Sequence, residues 1–232
     1  MKFATYDSSL TDAQWNLLKP MLPAPKKRGR PPADRRRILD AILYILKGGV
    51  QWRLLPVSFP PWKTVYHVFR QWTFSNTWEA LNARLRALVR ADEGKRSRPT
   101  AAVLDSQSVK SDSHGGEVGY DAAKRIKGRK RHLLVDTLGL LLGIEITPAD
   151  VPERAGAQTL LGRVLPWFAW LRMMWVDGGY SGPAFAQWVK TIRPKLEVET
   201  VKRRRLHLYR NDTNSTSPIG LIARLYAFFR QA

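Results

Sequence analysis

The sequence predicts an α+β protein in which a helical N-terminal region precedes a mixed β-sheet. In the first part of the chain apolar residues recur at helical spacing, as Ile38, Ile42 and Ile45 do. From Ala101 onward the apolar runs are short and end in polar turns, which is typical of buried strands. We therefore expect two domains, a helical domain over residues 1–95 and a sheet domain over residues 100–202.

The charge of the chain indicates a polyanionic partner. Its 232 residues include 39 Lys and Arg against 19 Asp and Glu, a formal net charge of +20. Neutralising phosphates with such side chains releases counterions, which favours nucleic acid as the partner. A membrane surface is the alternative, but the sequence shows no long basic amphipathic helix and no apolar stretch of spanning length. Without Cys, disulfides and thiolate zinc sites are excluded, which agrees with a cytoplasmic protein, and we expect no membrane partner.

Local signals predict where the first helices begin and end. Thr11 and Gln14 form a capping-box pattern at the start of a short helix. Asp34 is placed to cap a second helix, which the pair Gly48-Gly49 would end. The pair Pro60-Pro61 opens a third helix, and a fourth follows it.

The third helix has the features expected of a DNA-binding helix. Lys63, His67 and Arg70 recur on one face. A basic face on a helix that follows two compact helices is the arrangement of a helix-turn-helix reader, so we expect these three side chains to contact DNA. The alternative is that the face is merely solvated. The apolar stripe expected to pack consists of Trp62, Val65, Phe69 and Trp72.

The second half of the chain predicts strands and helices in an informative order. The first three strands form a meander, and strands and helices then alternate. This order favours a mixed sheet of the ribonuclease H type over a doubly wound parallel sheet. The predicted elements are a strand that ends at Asp105, a hairpin over 131–136 and 140–147, a helix over 155–165, a strand that ends at Asp177, a helix over 183–191 and a strand over 196–201.

Two aspartates stand where apolar strands are predicted to end. Asp105 follows Ala101-Ala102-Val103-Leu104, and Asp177 follows Met173-Met174-Trp175-Val176. Because the carboxyl ends of strands gather at one rim of an open sheet, the two carboxylates can converge in space. Oxygen ligands suit Mg²⁺ or Mn²⁺, which bridge phosphate oxygens. We therefore predict that Asp105 and Asp177 are metal ligands and catalytic residues; the alternative is that each is only a cap or a turn former.

A cationic run is predicted to form the loop between the first two strands. If Asp105 carries a metal ion, this run begins near it and can hold a DNA strand by its phosphates. The alternative is an exposed loop with no fixed partner. After Lys124 and Arg125, the run comprises Lys127, Arg129, Lys130, Arg131 and His132.

Six short motifs occur in one order over roughly residues 5 to 202. They are Leu10-Thr11-Asp12-Ala13-Gln14-Trp15, Gly29-Arg30-Pro31-Pro32, Gly48-Gly49-Val50-Gln51-Trp52-Arg53-Leu54-Leu55-Pro56, Asp105-Ser106-Gln107-Ser108-Val109-Lys110, Lys127-Gly128-Arg129-Lys130-Arg131-His132 and Val176-Asp177-Gly178-Gly179-Tyr180. Together they resemble the transposases of the IS4/IS5 insertion-sequence group, and within it the IS5 family. The resemblance implies an N-terminal DNA-binding region and a ribonuclease H-like catalytic domain of the DDE type.

What such enzymes bind and use follows from the same resemblance. Two aspartates and one glutamate hold two divalent ions, and Asp105 and Asp177 match the first two carboxylates. The implied partner is double-stranded DNA, both the terminal inverted repeats of the transposon and the target DNA. Whether the chain forms a homo-oligomer is left open.

The third carboxylate is where this sequence departs from the family. In the family, a helix after the last strand carries the glutamate, but here no Glu occurs after Glu199. The change after Lys202 resembles a truncation or frameshift, which makes residues 203–232 an aberrant tail; one part of a two-frame transposase is the alternative. We expect impaired strand transfer, and a non-catalytic fragment that occupies transposon ends or associates with full-length transposase is the alternative function.

Overall fold

The computed structural model describes residues 6–24, 33–111 and 116–201 of the chain. These residues form two compact units, the first of which ends at Glu93 and the second of which begins at Gly94. The predicted C-terminal tail lies outside the described residues. Within the described ranges, none of the helices combines the length and the apolar composition that a membrane span needs.

The first unit is helical, and its predicted helix ends are confirmed. The Thr11 hydroxyl accepts the N–H of Gln14, and the Gln14 side chain accepts the N–H of Thr11. Asp34 caps the second helix, which ends at Gly49 in the left-handed conformation that glycine adopts without strain (φ 62°). The four α-helices are α1 (Asp12–Leu18), α2 (Arg35–Gly48), α3 (Trp62–Phe74) and α4 (Thr77–Asp92).

The apolar stripe of α3 packs against its neighbours. Val65 and Trp72 are buried, and Trp72 meets Trp78 of α4 edge to face, with ring centroids 5.3 Å apart. The half-buried ring of Phe69 lies 5.1 Å from that of Trp52. Because one face of α3 packs in these contacts, the opposite face is exposed to solvent.

The helix connections differ from those of a simple helix-turn-helix. Residues 49–61 join α2 to α3 and include a 3₁₀ turn at Trp52–Leu54, whereas a helix-turn-helix joins its two helices by three or four residues. The short connection, Ser75 and Asn76, lies between α3 and α4. The helical content is as predicted, and the helix-turn-helix assignment stays a prediction.

The second unit is built around a mixed sheet, as predicted, but the sheet has six strands and not the five that were predicted, because the short strand at Gly119–Asp121 was missed. Its strands are β1 (Ala101–Lys110), β2 (Gly119–Asp121), β3 (Ile126–Asp136), β4 (Leu141–Pro148), β5 (Met173–Val176) and β6 (Glu197–Thr200), with helices α5 (Glu153–Val164) and α6 (Pro183–Ile192). The strand order is β2-β3-β1-β5-β6, and β4 also pairs with β3. β1 is antiparallel to β3 and parallel to β5, and β5 is parallel to β6.

β3 and β4 form the predicted hairpin. The buried Asp136 closes it by accepting the N–H groups of Leu138 and Leu140, each at 2.9 Å, and Gly139 supplies a left-handed residue (φ 77°). Because β3 is antiparallel to both β1 and β4, β4 runs in the same direction as β1. The C-terminal end of β4 therefore lies at the same edge of the sheet as the C-terminal ends of β1 and β5.

Two predicted boundaries in this unit are wrong. β1 does not end at Asp105 but continues to Lys110, because its residues from Ala102 onward pair with β3 in one unbroken antiparallel register. The cationic run is a loop only at Lys124 and Arg125, which lie in the turn before β3; from Lys127 to His132 it belongs to β3. Successive side chains of a strand point to opposite faces, so a strand can carry charged side chains on one face while the other is buried. The prediction did not allow for this.

One hydrophobic core joins the sheet to α5 and α6. Ala102 and Leu104 of β1 are buried in it beside their register partners Met174 and Val176 of β5. Alternate side chains of both strands therefore face the same core. The pairing of β1 with β5 ends at Leu104 and Val176, which places polar residues immediately after the core.

Candidate functional site

Asp105 and Asp177 occupy equivalent positions on two neighbouring parallel strands. The last pair in the register of β1 and β5 is Leu104 and Val176, so the two aspartates are the next residues along each strand. Neighbouring strands are about 4.8 Å apart. The structure therefore brings these two predicted residues side by side at the rim where β5 ends.

Backbone N–H groups hold both carboxylates. Asp105 Oδ1 accepts the N–H of Ser106 at 2.8 Å. Asp177 caps the 3₁₀ turn Gly178–Tyr180, and its Oδ1 accepts the N–H of Gly179 at 2.9 Å. Each carboxylate thus keeps one oxygen engaged with the backbone and another available to a ligand.

The Asp105 carboxyl lies in an environment that disfavours its charge. Although Asp105 is exposed, partial desolvation of its carboxyl raises its pKa, and the negative charges of Asp177 and Glu153 add to the rise. The Ser106 N–H and the Lys124 ammonium act in the opposite direction without cancelling it. A divalent cation would relieve this repulsion, so the carboxylates suit such an ion.

Glu153 is a third carboxylate at this rim, which the sequence analysis missed. It is the first residue of α5; Ser106 Oγ donates to its Oε1 at 2.7 Å, and Lys124 Nζ lies 3.0 Å from the same oxygen. Burial opposes ionisation of Glu153, but these two hydrogen bonds outweigh it and lower its pKa. A Cβ atom on Gly179 would lie 2.4 Å from Glu153 Oε2 and 3.1 Å from Asp177 Oδ1. Carboxylate oxygens of Glu153 and Asp177 therefore flank one small space.

Tyr180 brings a buried hydroxyl to the same place. The residue is 1% exposed, and its hydroxyl lies near Ser106 but makes no hydrogen bond of acceptable geometry to any described residue. Burial raises the pKa of Tyr180, and the charges of Glu153, Asp177 and Asp105 raise it further. The hydroxyl therefore stays protonated at neutral pH and can donate to a carboxylate or to an ion-bound water.

The donor atoms at this rim fit a divalent cation. They are carboxylate and hydroxyl oxygens, the hard ligands that Mg²⁺ and Mn²⁺ take. In the part of the chain that the structure describes, no three His, Cys, Asp or Glu side chains are arranged to hold one ion together. Asp105 and Asp177 are thus the two predicted ligands, and Glu153 lies beside them in an ion pair with Lys124.

Two of the predicted DNA-binding residues, Lys130 and His132, are buried. Lys130 is 5% exposed; its Nζ donates to the Val151 carbonyl at 2.8 Å and lies 3.6 Å from Asp121 Oδ2. Burial lowers the pKa of His132 to about 4, so its ring, 3.0 Å from the Thr147 hydroxyl, is neutral at pH 7. Contact with a phosphate would require breaking these interactions, so burial disfavours a direct DNA role for both.

The other three cations of β3 alternate to the opposite face of the strand. Lys127 is exposed, and Arg129 and Arg131 are half-buried. The Arg129 guanidinium donates to the carbonyls of Gly116 at 2.8 Å and Glu117 at 3.1 Å. Lys127, Arg129 and Arg131 therefore form the part of the cationic run that a phosphate can approach from solvent.

In the first unit, the basic face of α3 points outward. Lys63, His67 and Arg70 are all exposed. The Arg70 guanidinium lies 4.6 Å from the ring centroid of Phe74, which is itself 72% exposed. The Lys63 ammonium lies 5.9 Å from the ring of Trp62. Three basic side chains are thus presented along one exposed side of the helix.

A strongly basic chain with two aspartates side by side at the rim of a mixed sheet has the arrangement expected of proteins that act on nucleic acid phosphates. Comparison with known proteins identifies the family. Residues 10–82 match the model described as a transposase of the IS4/5 family, and residues 96–226 match the model described as a transposase DDE domain. The chain belongs to the IS4/IS5 group of insertion-sequence transposases with a DDE domain.

A named relative agrees with this assignment. The "Insertion element IS402 uncharacterized 16.2 kDa protein" of Burkholderia cepacia is 35% identical over 118 residues, which cover 47% of this chain and 78% of the relative. No solved structure matches the chain. The DDE-domain match runs past Lys202 to residue 226, so the comparison does not show the predicted truncation.

Proposed function

We propose that this chain is an IS5-type transposase that binds the terminal inverted repeats of its insertion sequence and catalyses metal-dependent cleavage and transfer of DNA strands. The observation that carries the proposal is the side-by-side placement of Asp105 and Asp177 in a chain of this family. The strand order, with β1 between an antiparallel β3 and a parallel β5, supports a ribonuclease H-like fold. The net charge of +20 supports a nucleic acid substrate, and we infer a cytoplasmic location from the family.

Asp105 and Asp177 would hold Mg²⁺ or Mn²⁺. When bound, such an ion activates a water or a 3′-hydroxyl and stabilises the leaving oxygen. Asp105 contributes a carboxylate on a strand, and Asp177 contributes one on a turn, where the Gly179 N–H keeps its Oδ1 oriented. The Lys124 ammonium supplies positive charge at the same rim, where the phosphate of the scissile strand would lie.

Two basic surfaces support the binding of DNA. The exposed side of α3 presents Lys63, His67 and Arg70, a helix face of the kind that enters a major groove. In the second unit, Lys127 and its neighbours on β3 offer contacts to phosphates. We assign end recognition to the first surface and strand positioning to the second.

A non-catalytic DNA-binding fragment is the second candidate. The observation in its favour is that no Glu follows Glu199, so residues 203–232 lack the glutamate that the family carries after the last strand. Two-metal chemistry needs enough anionic ligands to hold both ions against phosphate repulsion. Such a chain would occupy transposon ends or associate with full-length transposase.

Cleavage of an end-containing duplex separates the two candidates. The full chain is incubated with labelled DNA that carries the inverted repeat, with Mn²⁺ or with EDTA. The first candidate predicts Mn²⁺-dependent nicking that Asp105→Asn and Asp177→Asn abolish while repeat binding remains. Repeat binding without nicking would favour the second candidate. Nicking that is equal in wild type and both variants would place the chemistry elsewhere.

A further inference from the structure

We propose that Glu153 is the third carboxylate of the ion site in this chain, and that the Lys124 ammonium competes with the cation for it. The inference rests on the proposed function, because it adds a ligand to the Asp105 and Asp177 site. It assigns the third carboxylate to the start of α5 and not to the C-terminal tail. Because the described side chains are not yet arranged to hold one ion together, the proposal requires Glu153 to turn from Lys124 towards the two aspartates.

The position of Glu153 beside Asp177 is the first argument. Gly179 lies between them: a Cβ atom there would lie 2.4 Å from Glu153 Oε2 and 3.1 Å from Asp177 Oδ1. Only a residue without a side chain leaves this space open. The Glu153 charge also acts on Asp105, so all three carboxylates interact across the rim.

The contacts of Glu153 show which group a cation would have to displace. Ser106 Oγ and Lys124 Nζ both bind Oε1, which leaves Oε2 on the side of Gly179. The Lys124 side chain is 35% exposed and ends a flexible four-carbon stem, so it can leave when a divalent cation arrives. The Ser106 hydroxyl would keep Glu153 oriented after Lys124 has moved.

The Tyr180 hydroxyl is an independent sign of a ligand at this place. It is buried near the charges of Asp105, Asp177 and Glu153 and lies close to the Ser106 hydroxyl, yet no described residue is in good hydrogen-bond geometry to it. Buried hydroxyls are almost always paired with protein or water. A hydrated ion held by the three carboxylates would bring a water within reach of this hydroxyl and satisfy it.

Binding of Mn²⁺ to the DNA-free full chain, followed by electron paramagnetic resonance, tests the proposal without relying on activity. Glu153→Gln keeps the shape and the hydrogen-bond acceptor but removes the charge, so Mn²⁺ affinity should fall about tenfold. Lys124→Met removes the competing cation, so Mn²⁺ affinity should rise severalfold. Asp105→Asn and Asp177→Asn report on the proposed site itself.

Ion pairs elsewhere in the same unit supply matched controls. Glu145 pairs with Arg163 at 3.0 Å, and Lys190 pairs with Glu197 at 3.1 Å. Glu145→Gln and Lys190→Met change the same charges away from the rim and should leave Mn²⁺ affinity within about twofold of wild type.

Gly179→Ala tests whether Glu153 binds the ion without removing a charge. The added methyl group would displace Glu153, so it should weaken Mn²⁺ binding in the wild-type background. In a Glu153→Ala background it should have little further effect. Equal losses in both backgrounds would show that the methyl group acts through Asp177 and would count against the proposal.

The outcomes separate this inference from the proposed function. If Glu153→Gln binds Mn²⁺ like wild type while Asp105→Asn and Asp177→Asn bind it weakly, the inference is overturned and the proposed site stands. Weaker binding by Lys124→Met would overturn the role given to Lys124. If none of these variants changes Mn²⁺ binding, the proposed ion site falls as well.

Discussion

Gly156 of α5 lies directly against the ring of His132 in β3. A Cβ atom on Gly156 would lie 2.0 Å from His132 Nε2, closer than any real contact, and both residues are buried. The missing side chain therefore lets α5 approach the sheet closely enough to place Glu153 beside the strand ends. The close approach of α5 to the sheet is therefore needed to form the candidate site.

Replacing this glycine should destabilise the protein. Gly156→Ala gains helix propensity, but the methyl group overlaps a buried ring, and overpacking costs about 1–3 kcal/mol. Gly162→Ala in the same helix is the matched control, because nothing lies within 4 Å of its Cβ position, and it should stabilise by about 0.5–1 kcal/mol. Urea unfolding measures both; a stabilising Gly156→Ala would contradict the close contact.

The stability of the second unit should depend on His132 in mildly acidic solution. Burial lowers its pKa to about 4 from the 6.5 of the unfolded chain, so the unfolded state takes up a proton first. Stability should therefore fall as the pH decreases from about 6.5 towards 4, by on the order of 3 kcal/mol in total.

Comparison with a variant that lacks the histidine separates the effect of His132 on stability from the titration of the carboxylates. His132→Gln has no titrating ring, so thermal unfolding of the variant should depend less on pH between 6.5 and 4.5 than that of wild type. Parallel stability curves for the two proteins over that range would rule out the depressed His132 pKa.

Lys130 and Lys127 should behave in opposite ways although they lie on the same strand. Lys130→Met leaves Asp121 without its buried cation and should cost about 1–3 kcal/mol of stability. It should not change how DNA affinity depends on salt. Lys127→Ala should keep the stability and lower the log-log salt slope by about one unit if Lys127 contacts a phosphate. Salt titrations of DNA binding compare them.

The exposed face of α3 should contribute to DNA affinity. Replacing Lys63 and Arg70 together by Ala should weaken binding and reduce the salt slope by about one unit per lost phosphate contact. Lys47→Ala removes an equally exposed cation from the end of α2 and serves as the control. An unchanged slope in the double variant, or an equal change in the control, would mean that this face is only solvated.

The helical unit was largely predictable because its signals are local. The capping box spans Thr11 to Gln14, and the second helix is bounded by Asp34 and Gly49, so each signal lies within a few residues of the element that it ends. The orientation of the α3 stripe followed from its period alone. The connection over residues 49–61 is also bounded by local signals, Gly48-Gly49 at one end and Pro60-Pro61 at the other, and its length followed from them.

The sheet unit was less predictable because its contacts are distant in sequence. The extension of β1 beyond Asp105 depends on pairing with β3, and a polar run does not reveal a partner strand. Ser106 and Glu153 are separated by 47 positions. The available signal was Pro152-Glu153 at a helix start after β4, but its use required knowing that β4 runs in the direction of β1.

The two aspartates sit on backbones of unequal rigidity. β1 is paired on both sides up to Leu104, whereas Asp177 begins a short turn with two glycines, Gly178 and Gly179. Local opening therefore costs much more free energy around the first carboxylate than around the second. If the proposed ion binds here, Asp105 would be the stationary ligand of the pair, and the turn at Asp177 would be the part that adjusts to the radius and hydration of the cation.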